Sequence, residues 1–326
     1  MSKYTGRQIQ VGVGVETIRG TKSSNITWLP KTSFDFDDKI ETKEDSSSLG
    51  TKLDISDIEI TREYAEGNIE MKAGANNIGL LLYSILGKKK TSIVVPDKVF
   101  SHIFTINNDS ENPSLTIFTK EPNGDFHYPL ALIESLTLSA QVGEPITITA
   151  SFKSKKGVTD NLTTTYSTDY IFKAIHSKFK VADKEAELNG ARLACIESFE
   201  LVISKENLET FCLNNGNEPI DILDGKIGIT GSITAVFSDN DYKNKALNGR
   251  EFALLFSLED QTVKIGNETG KHPLLEFILP KVKFTDYGRD KDNDNLVKVN
   301  LNFKAFQNES GVEAIKVKLQ NGVANY

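Results

Sequence analysis

The sequence predicts a mainly β protein made of two tandem units, each with one short helix, and three observations carry that expectation. Apolar and polar residues alternate with period two along most of the chain, as in strands with one packed and one wetter face. Only two segments show a helical pattern with start and stop signals. A set of landmarks seen in the first half returns, in the same order, in the second.

Taken in order, the alternating runs are Gln8–Glu16 (QIQVGVGVE), Ser135–Ala140 (SLTLSA), Pro145–Lys153 (PITITASFK), Ile227–Phe237 (IGITGSITAVF) and Leu296–Phe306 (LVKVNLNFKAF). Turn residues separate them at Pro122–Gly124, Lys156–Gly157, Asn214–Gly216 and Asp286–Gly288. The first helix is expected over Asn76–Leu86, capped by Asn76 or Asn77 and stopped by Gly87. The second is a weaker pattern over Asn240–Leu247, with Gly249 after it.

The repeat reads as follows. Ser33-Phe34 opens SFDF and Ser198-Phe199 opens SFEL; EGNIEM at Glu66 answers DGKIGI at Asp224; helices end at Gly87 and near Gly249. Strands at Ile103–Ile106, Ile133–Leu138 and Ile146–Lys153 correspond to Phe252–Phe256, Leu279–Phe284 and Val297–Lys304. The separations run from roughly 146 to 165 residues, which suits a tandem duplication. The seam falls in the Lys-, Thr- and Ser-rich stretch Ser154–Thr168, giving expected domains 1–160 and 161–326.

Composition narrows the function. The 326 residues carry 38 basic and 45 acidic side chains, a formal net charge of −7. Gripping DNA through its phosphates needs a basic surface, so the balance argues against a DNA-binding protein without excluding a local patch. Cys195 and Cys212 are too few for a disulfide framework or a four-cysteine zinc site, and both are expected to be reduced and buried as small hydrophobes. Met1–Gln10 lacks the apolar run of a signal peptide, and Ile78–Leu86 is too short to cross a bilayer, so a cytoplasmic origin is expected.

Chemistry-bearing motifs are absent. Gly12–Gly20 holds close glycines inside a strand pattern and lacks the following helix of a dinucleotide site. Asp290–Asn295 alternates acids like a calcium loop, but Asn295 stands where glycine is needed and Leu301 where glutamate is. The four histidines, at 102, 127, 176 and 272, show no ligand spacing. No catalytic, cofactor or metal residues are expected.

Two polar connections interrupt the strands at equivalent places, Asp37–Asp57 and Lys205–Asp221. Loops longer than about a dozen residues in a compact domain are usually functional. Their side chains are therefore candidates for contacts between subunits: Asp38, Glu41, Glu44, Asp45, Leu49 and Asp54 in the first, Glu206, Leu208, Phe211 and Asn215 in the second.

The opening GVGVETIRGT with WLPKTSFDF, then EGNIEMKAGANNIGLLLYSILG, FSHIFTINN with PSLTIF, GKIGITGSITAVFSDNDY, LPKVKF and VKVNLNFKAF, resembles the tail tube proteins of siphophage type along nearly the whole chain. No single motif is diagnostic; order and coverage carry the resemblance. It implies β-barrel or sandwich units with a flanking helix, joined through their sheets into rings of six domains that stack through extended loops. With two domains per chain, three chains would complete a ring. It also implies a lumen that passes DNA without specific binding, and the acidic balance would repel the duplex there over about a Debye length. The implied partners are further copies of the chain and the tail tip or baseplate, tape measure and tail terminator proteins. Two other readings stay open: the inner tube of a contractile tail or injection machine, and a receptor- or carbohydrate-binding β-sandwich, which would show an exposed aromatic platform.

Overall fold

The computed structural model describes residues 3–109, 111–236, 240–292, 296–307, 311 and 313–326. Five strands precede the first helix: β1 (Gln10–Val15), β2 (Thr27–Leu29), β3 (Lys31–Phe34), β4 (Asp37–Asp45) and β5 (Asp57–Lys72). After α1 (Ile78–Leu86) come β6 (Gly87–Val95), β7 (Val99–Ile106), β8 (Leu115–Glu121), β9 (Gly124–Gln141), β10 (Thr147–Ser154) and β11 (Val158–Asp160). The second half holds β12 (Ser177–Ala182), β13 (Ile196–Thr210), β14 (Asp221–Val236), α2 (Asp241–Leu247), β15 (Phe252–Glu259), β16 (Leu274–Asp290), β17 (Lys298–Ala305) and β18 (Lys316–Asn321). The protein is mainly β, as expected.

Helix α1 is buried on almost every side, which explains its unbroken apolar sequence. It stops at Gly87, whose φ of 83° is left-handed, and a Cβ there would collide with the Asn112 side chain.

Strand pairing follows one scheme in both halves. In the first, β1 pairs with β8, β8 with β9, and β9 with β11. The C-terminal part of β9 then pairs with β10, β10 with β5, and β5 with β3 and β4. In the second, β12 pairs with β15, β15 with β16, and β16 with β18. The C-terminal part of β16 then pairs with β17, β17 with β14, and β14 with β13. Every pairing is antiparallel.

The irregularities match too. β9 sets Pro129 and Leu130 against the single residue Thr116, and β16 sets Pro280 and Lys281 against Ala253. Further along, Glu134 is inserted against β10 and Thr285 against β17. Proline has no N–H to give a ladder, so a bulge tolerates it, and the bulge bends the strand. That bend lets one strand serve both layers of its half. The first half adds β2 and the β6–β7 hairpin, and β7 pairs with β18 of the second half.

The core lies between the layers. Phe199 stands at its centre, stacked on Phe256 at 4.2 Å and close to Phe179 and Phe303 at 5.7 and 6.0 Å between ring centroids. A Cβ on Gly231 would run into the Phe303 ring and the Glu200 carbonyl, so the close approach of β14 to its neighbours requires glycine.

Two expectations need correction. Asp286–Gly288 is not a turn: it continues β16, where Asp286 faces Asn302 and Gly288 faces Asn300, because β17 supplies the hydrogen bonds that a turn would have to replace. Of the acidic stretch Asp290–Asn295, residues 293–295 lie outside the described residues. Cys195 and Cys212 are free but exposed, not buried, because they fall in the stretches just before β13 and just after it.

The C-terminus is latched to the first half. His102, fully buried, accepts a hydrogen bond at Nδ1 from the Thr91 hydroxyl and donates from Nε2 to the Val323 carbonyl, both at 2.9 Å. Tyr326 packs edge-on against that ring and donates its hydroxyl to the Asn76 carbonyl at 3.0 Å. Burial pushes the His102 pKa down, so the unfolded chain takes up the proton first as pH falls. Stability from this site is present above the ordinary histidine range and is lost below it. Between about pH 7.5 and about pH 5.5 the urea midpoint of the wild type should therefore fall further than that of His102→Gln. Equal falls would show that the histidine contributes nothing.

Candidate assembly surfaces

The two halves share one ladder. The C-terminal part of β9 pairs with β13, from Ser135 facing Ser204 to Gln141 facing Ser198. A single run of strands results: β3 and β4, then β5, β10, β9, β13, β14, β17 and the end of β16. One face buries Ile69, Met71, Leu138, Ile148, Phe152, Leu201, Ile233 and Leu301. Strand alternation puts Asn68, Ser135, Thr137, Thr149, Ser151, Thr230, Ser232, Asn300 and Asn302 on the other. Neighbouring strands hydrogen-bond across that face, the Ser135 hydroxyl to the Ser151 hydroxyl at 3.1 Å and the Thr234 hydroxyl to Asn300 Oδ1 at 3.1 Å. Among the described residues neither end of this run, β3–β4 or the end of β16, pairs with a further strand.

The second surface is a pair of hairpin arms. Beyond Ala65, β5 leaves β10 and continues with β4 alone, through the ladder from Lys39–Tyr64 to Asp45–Asp57. The strand residues from Lys39 to Asp45 project about 23 Å. Every residue of β4 is exposed. One face of the ribbon carries Ile40, Ile58 and Ile60, 58, 53 and 46% exposed. The other carries Lys39, Glu41 and Lys43 opposite Tyr64, Arg62 and Glu59, with Arg62 and Glu41 3.3 Å apart. Residues 35–66 hold eleven acidic and four basic side chains, so this segment alone accounts for the net −7, and the remainder of the chain balances.

The second arm is the outer part of β13 and β14, and it is braced against the first. The Glu63 amide donates to the Asn217 carbonyl at 2.9 Å, and the Asn217 side-chain amide donates to the Ile60 carbonyl at 2.7 Å. Lys156 bridges Glu63 and Glu218, each at 3.0 Å. Lys153 pairs with Glu209 at 3.2 Å, and the Arg62 guanidinium lies 4.8 Å from the Phe211 ring. At the arm's root Lys205 is buried and ion-paired with Asp224. Burial pushes its pKa down against the opposing pull of that carboxylate.

The expected loops are therefore shorter than Asp37–Asp57 and Lys205–Asp221. Asp38, Glu41, Glu44 and Asp45 sit on β4, and Glu206 and Leu208 on β13, so all six are strand residues. Leu49 and Asp54 lie in the first tip, residues 46–56; Phe211 and Asn215 lie in the second, 211–220. Among the described residues β4 pairs only with β5 and buries neither face, so it is polar on both faces apart from Ile40, which erases the alternation that reveals other strands. Sequence reasoning missed the bracing residues Lys153, Lys156 and Asn217, which carry no local signature.

Trp28 packs in a buried cluster with Phe118 and Leu162, so it offers no aromatic platform. Among the described residues no three His, Cys, Asp or Glu side chains come together as a metal site, and no helix is long and apolar enough to cross a membrane.

The family model for phage tail tube proteins matches residues 6–305. The chain belongs to the phage tail tube protein family. Among solved structures it is similar to the SPP1 tail tube, determined by solid-state NMR and cryo EM, at 15% identity and a TM-score of 0.30, over 46% of this chain and 78% of that one. No curated protein matches the chain. Tail tube proteins are structural subunits rather than enzymes, and this one is accordingly a component of the virion's tail.

Proposed function

We propose that three copies of this tail tube protein close into a ring of six β units, residues 1–160 and 161–326 of each chain, and that rings stack through the arms into a conduit for DNA. The observation that carries this reading is the recurrence of one strand scheme in both halves, bulge for bulge, with the halves already joined edge to edge through β9 and β13. An open sheet edge exposes unpaired N–H and C=O groups, and closing a ring satisfies them.

The polar face of the shared ladder is the surface we assign to the channel. Its hydroxyls and amides present no dense array of cations to the phosphates of a passing duplex. Of its lysines, Lys153 and Lys298 are held by Glu209 at 3.2 Å and Glu197 at 2.7 Å. Because the net charge resides in the first arm, repulsion of DNA would arise around the arms rather than along this face.

Negative-stain averages of the purified protein test the proposal. Rings with three-fold symmetry and six similar lobes are expected. Strict six-fold averages would overturn the stoichiometry, and a protein that stays monomeric at high concentration would overturn ring formation itself.

A further inference from the structure

We propose that ring closure joins the β3–β4 edge of one chain to the C-terminal edge of β16 in the next, antiparallel and in the register that β9 and β13 already adopt within the chain. This rests on the ring reading above and specifies its interface.

The register follows from the repeated ladders. Phe34 faces Ile69 and Phe199 faces Ile233, while Gly67 faces Phe152 and Gly231 faces Phe303. β13 therefore corresponds to β3–β4 displaced by 165 residues, from Phe34 to Phe199. The inserted residues Glu134 and Thr285, and the bulge prolines Pro129 and Pro280, relate β9 to β16 by 151. Within the chain Ser198 faces Gln141 and Ser204 faces Ser135. Shifted by these displacements, Ser33 of one chain faces Asp292 of the next, Phe34 faces Lys291, Asp35 faces Asp290, and Phe36 faces Arg289. Asp37 then faces Gly288, Asp38 faces Tyr287, and Lys39 faces Asp286.

Both edges have the room for a partner strand. Among the described residues neither pairs with another strand, and each is already held rigid from one side, by β5 and by β17. Lys39 meets Asp286 directly, and Asp38 has Arg289 on its diagonal; Asp35 opposite Asp290 and the diagonals Asp35–Asp292, Asp37–Asp286 and Asp37–Asp290 are like-charged. The internal joint has only Glu200 as a charged residue among the corresponding positions. The free edges instead carry Asp35, Asp37, Asp38 and Lys39 against Asp286, Arg289, Asp290 and Lys291. Charged side chains on an open edge deter indiscriminate pairing, and an interchain joint needs that protection where an internal one does not.

The test uses the full chain with Cys195→Ser and Cys212→Ser, plus Asp37→Cys and Gly288→Cys. Gly288 accepts a side chain, since the nearest atom to an added Cβ is the Asn300 carbonyl oxygen at 4.0 Å. Residues directly opposite in an antiparallel pair lie about 4.5–5.5 Å apart at Cα, within disulfide reach, whereas diagonal neighbours lie about 7–8 Å apart. Oxidised rings should give covalent dimers and trimers on a non-reducing gel, at least about tenfold more than the shifted pair Asp37→Cys with Asp286→Cys. Rings that form but leave the Asp37→Cys and Gly288→Cys thiols free overturn the register and leave the ring reading standing; failure to form any ring overturns both. Hydrogen exchange of the wild type checks the same point without substitutions. Assembly should protect the amides of residues 33–39 and 286–290 together, and rapid exchange of both in finished rings overturns the proposal.

Discussion

A chain lacking Lys43–Leu53 is expected to fold normally and to form no tubes. None of the deleted residues is buried, and the shortened arm can still close between Thr42 and Ile60, which face each other. Its unfolding free energy should change by less than about 1 kcal/mol, the range of surface changes remote from the core. Assembly should suffer out of proportion. An isolated two-stranded ribbon is marginally stable in water, and this one exposes Ile40, Ile58 and Ile60 on one face, with Leu49 and Leu53 at its tip 74 and 79% exposed. Such a ribbon gains from a partner surface, and stacked rings supply one. Electron microscopy beside urea unfolding separates the two effects: long tubes from the deletion variant would sink the stacking role, while a collapsed urea midpoint would show that the arm stabilises the fold.

The largest loss of stability should come from Phe199→Ala. The ring is 1% exposed and stacks against Phe256 and Phe303, so the change removes aromatic contacts and leaves a cavity between the layers. About 3–5 kcal/mol is expected, enough to unfold many domains of ordinary stability. Gly231→Ala adds volume at the same place and should cost about 1–3 kcal/mol through overpacking against Phe303. Urea denaturation measures both, and a wild-type midpoint for Phe199→Ala would mean that the aromatic cluster can close the gap.

Much of the fold was legible because strand and helix leave local marks. The period-two runs at 8–16, 135–140, 145–153, 227–237 and 296–306 coincide with β1, β9, β10, β14 and β17 within the described residues. Asn76–Leu86 became α1 with two residues trimmed from its start, and Asn240–Leu247 became α2 with one. The arms were legible only as polar segments. Asp37–Asp45 contains one large apolar residue, Ile40, and its strand character comes from pairing with β5 rather than from its own pattern. Asp286–Gly288 misled for the opposite reason: turn-type residues can lie within a strand when a partner such as β17 supplies the ladder.

By itself the sequence determined the β class, the two helices and the polar character of the arms, since each depends on residues close together in the chain. Only the tertiary structure decided that β9 lies beside β13, that Lys156 and Asn217 brace one arm on the other, and that Cys195 and Cys212 face outward. Alternation tells a strand which of its faces is dry, but its backbone hydrogen bonds fit any neighbour equally well. The choice of neighbour belongs to packing between residues far apart in the chain.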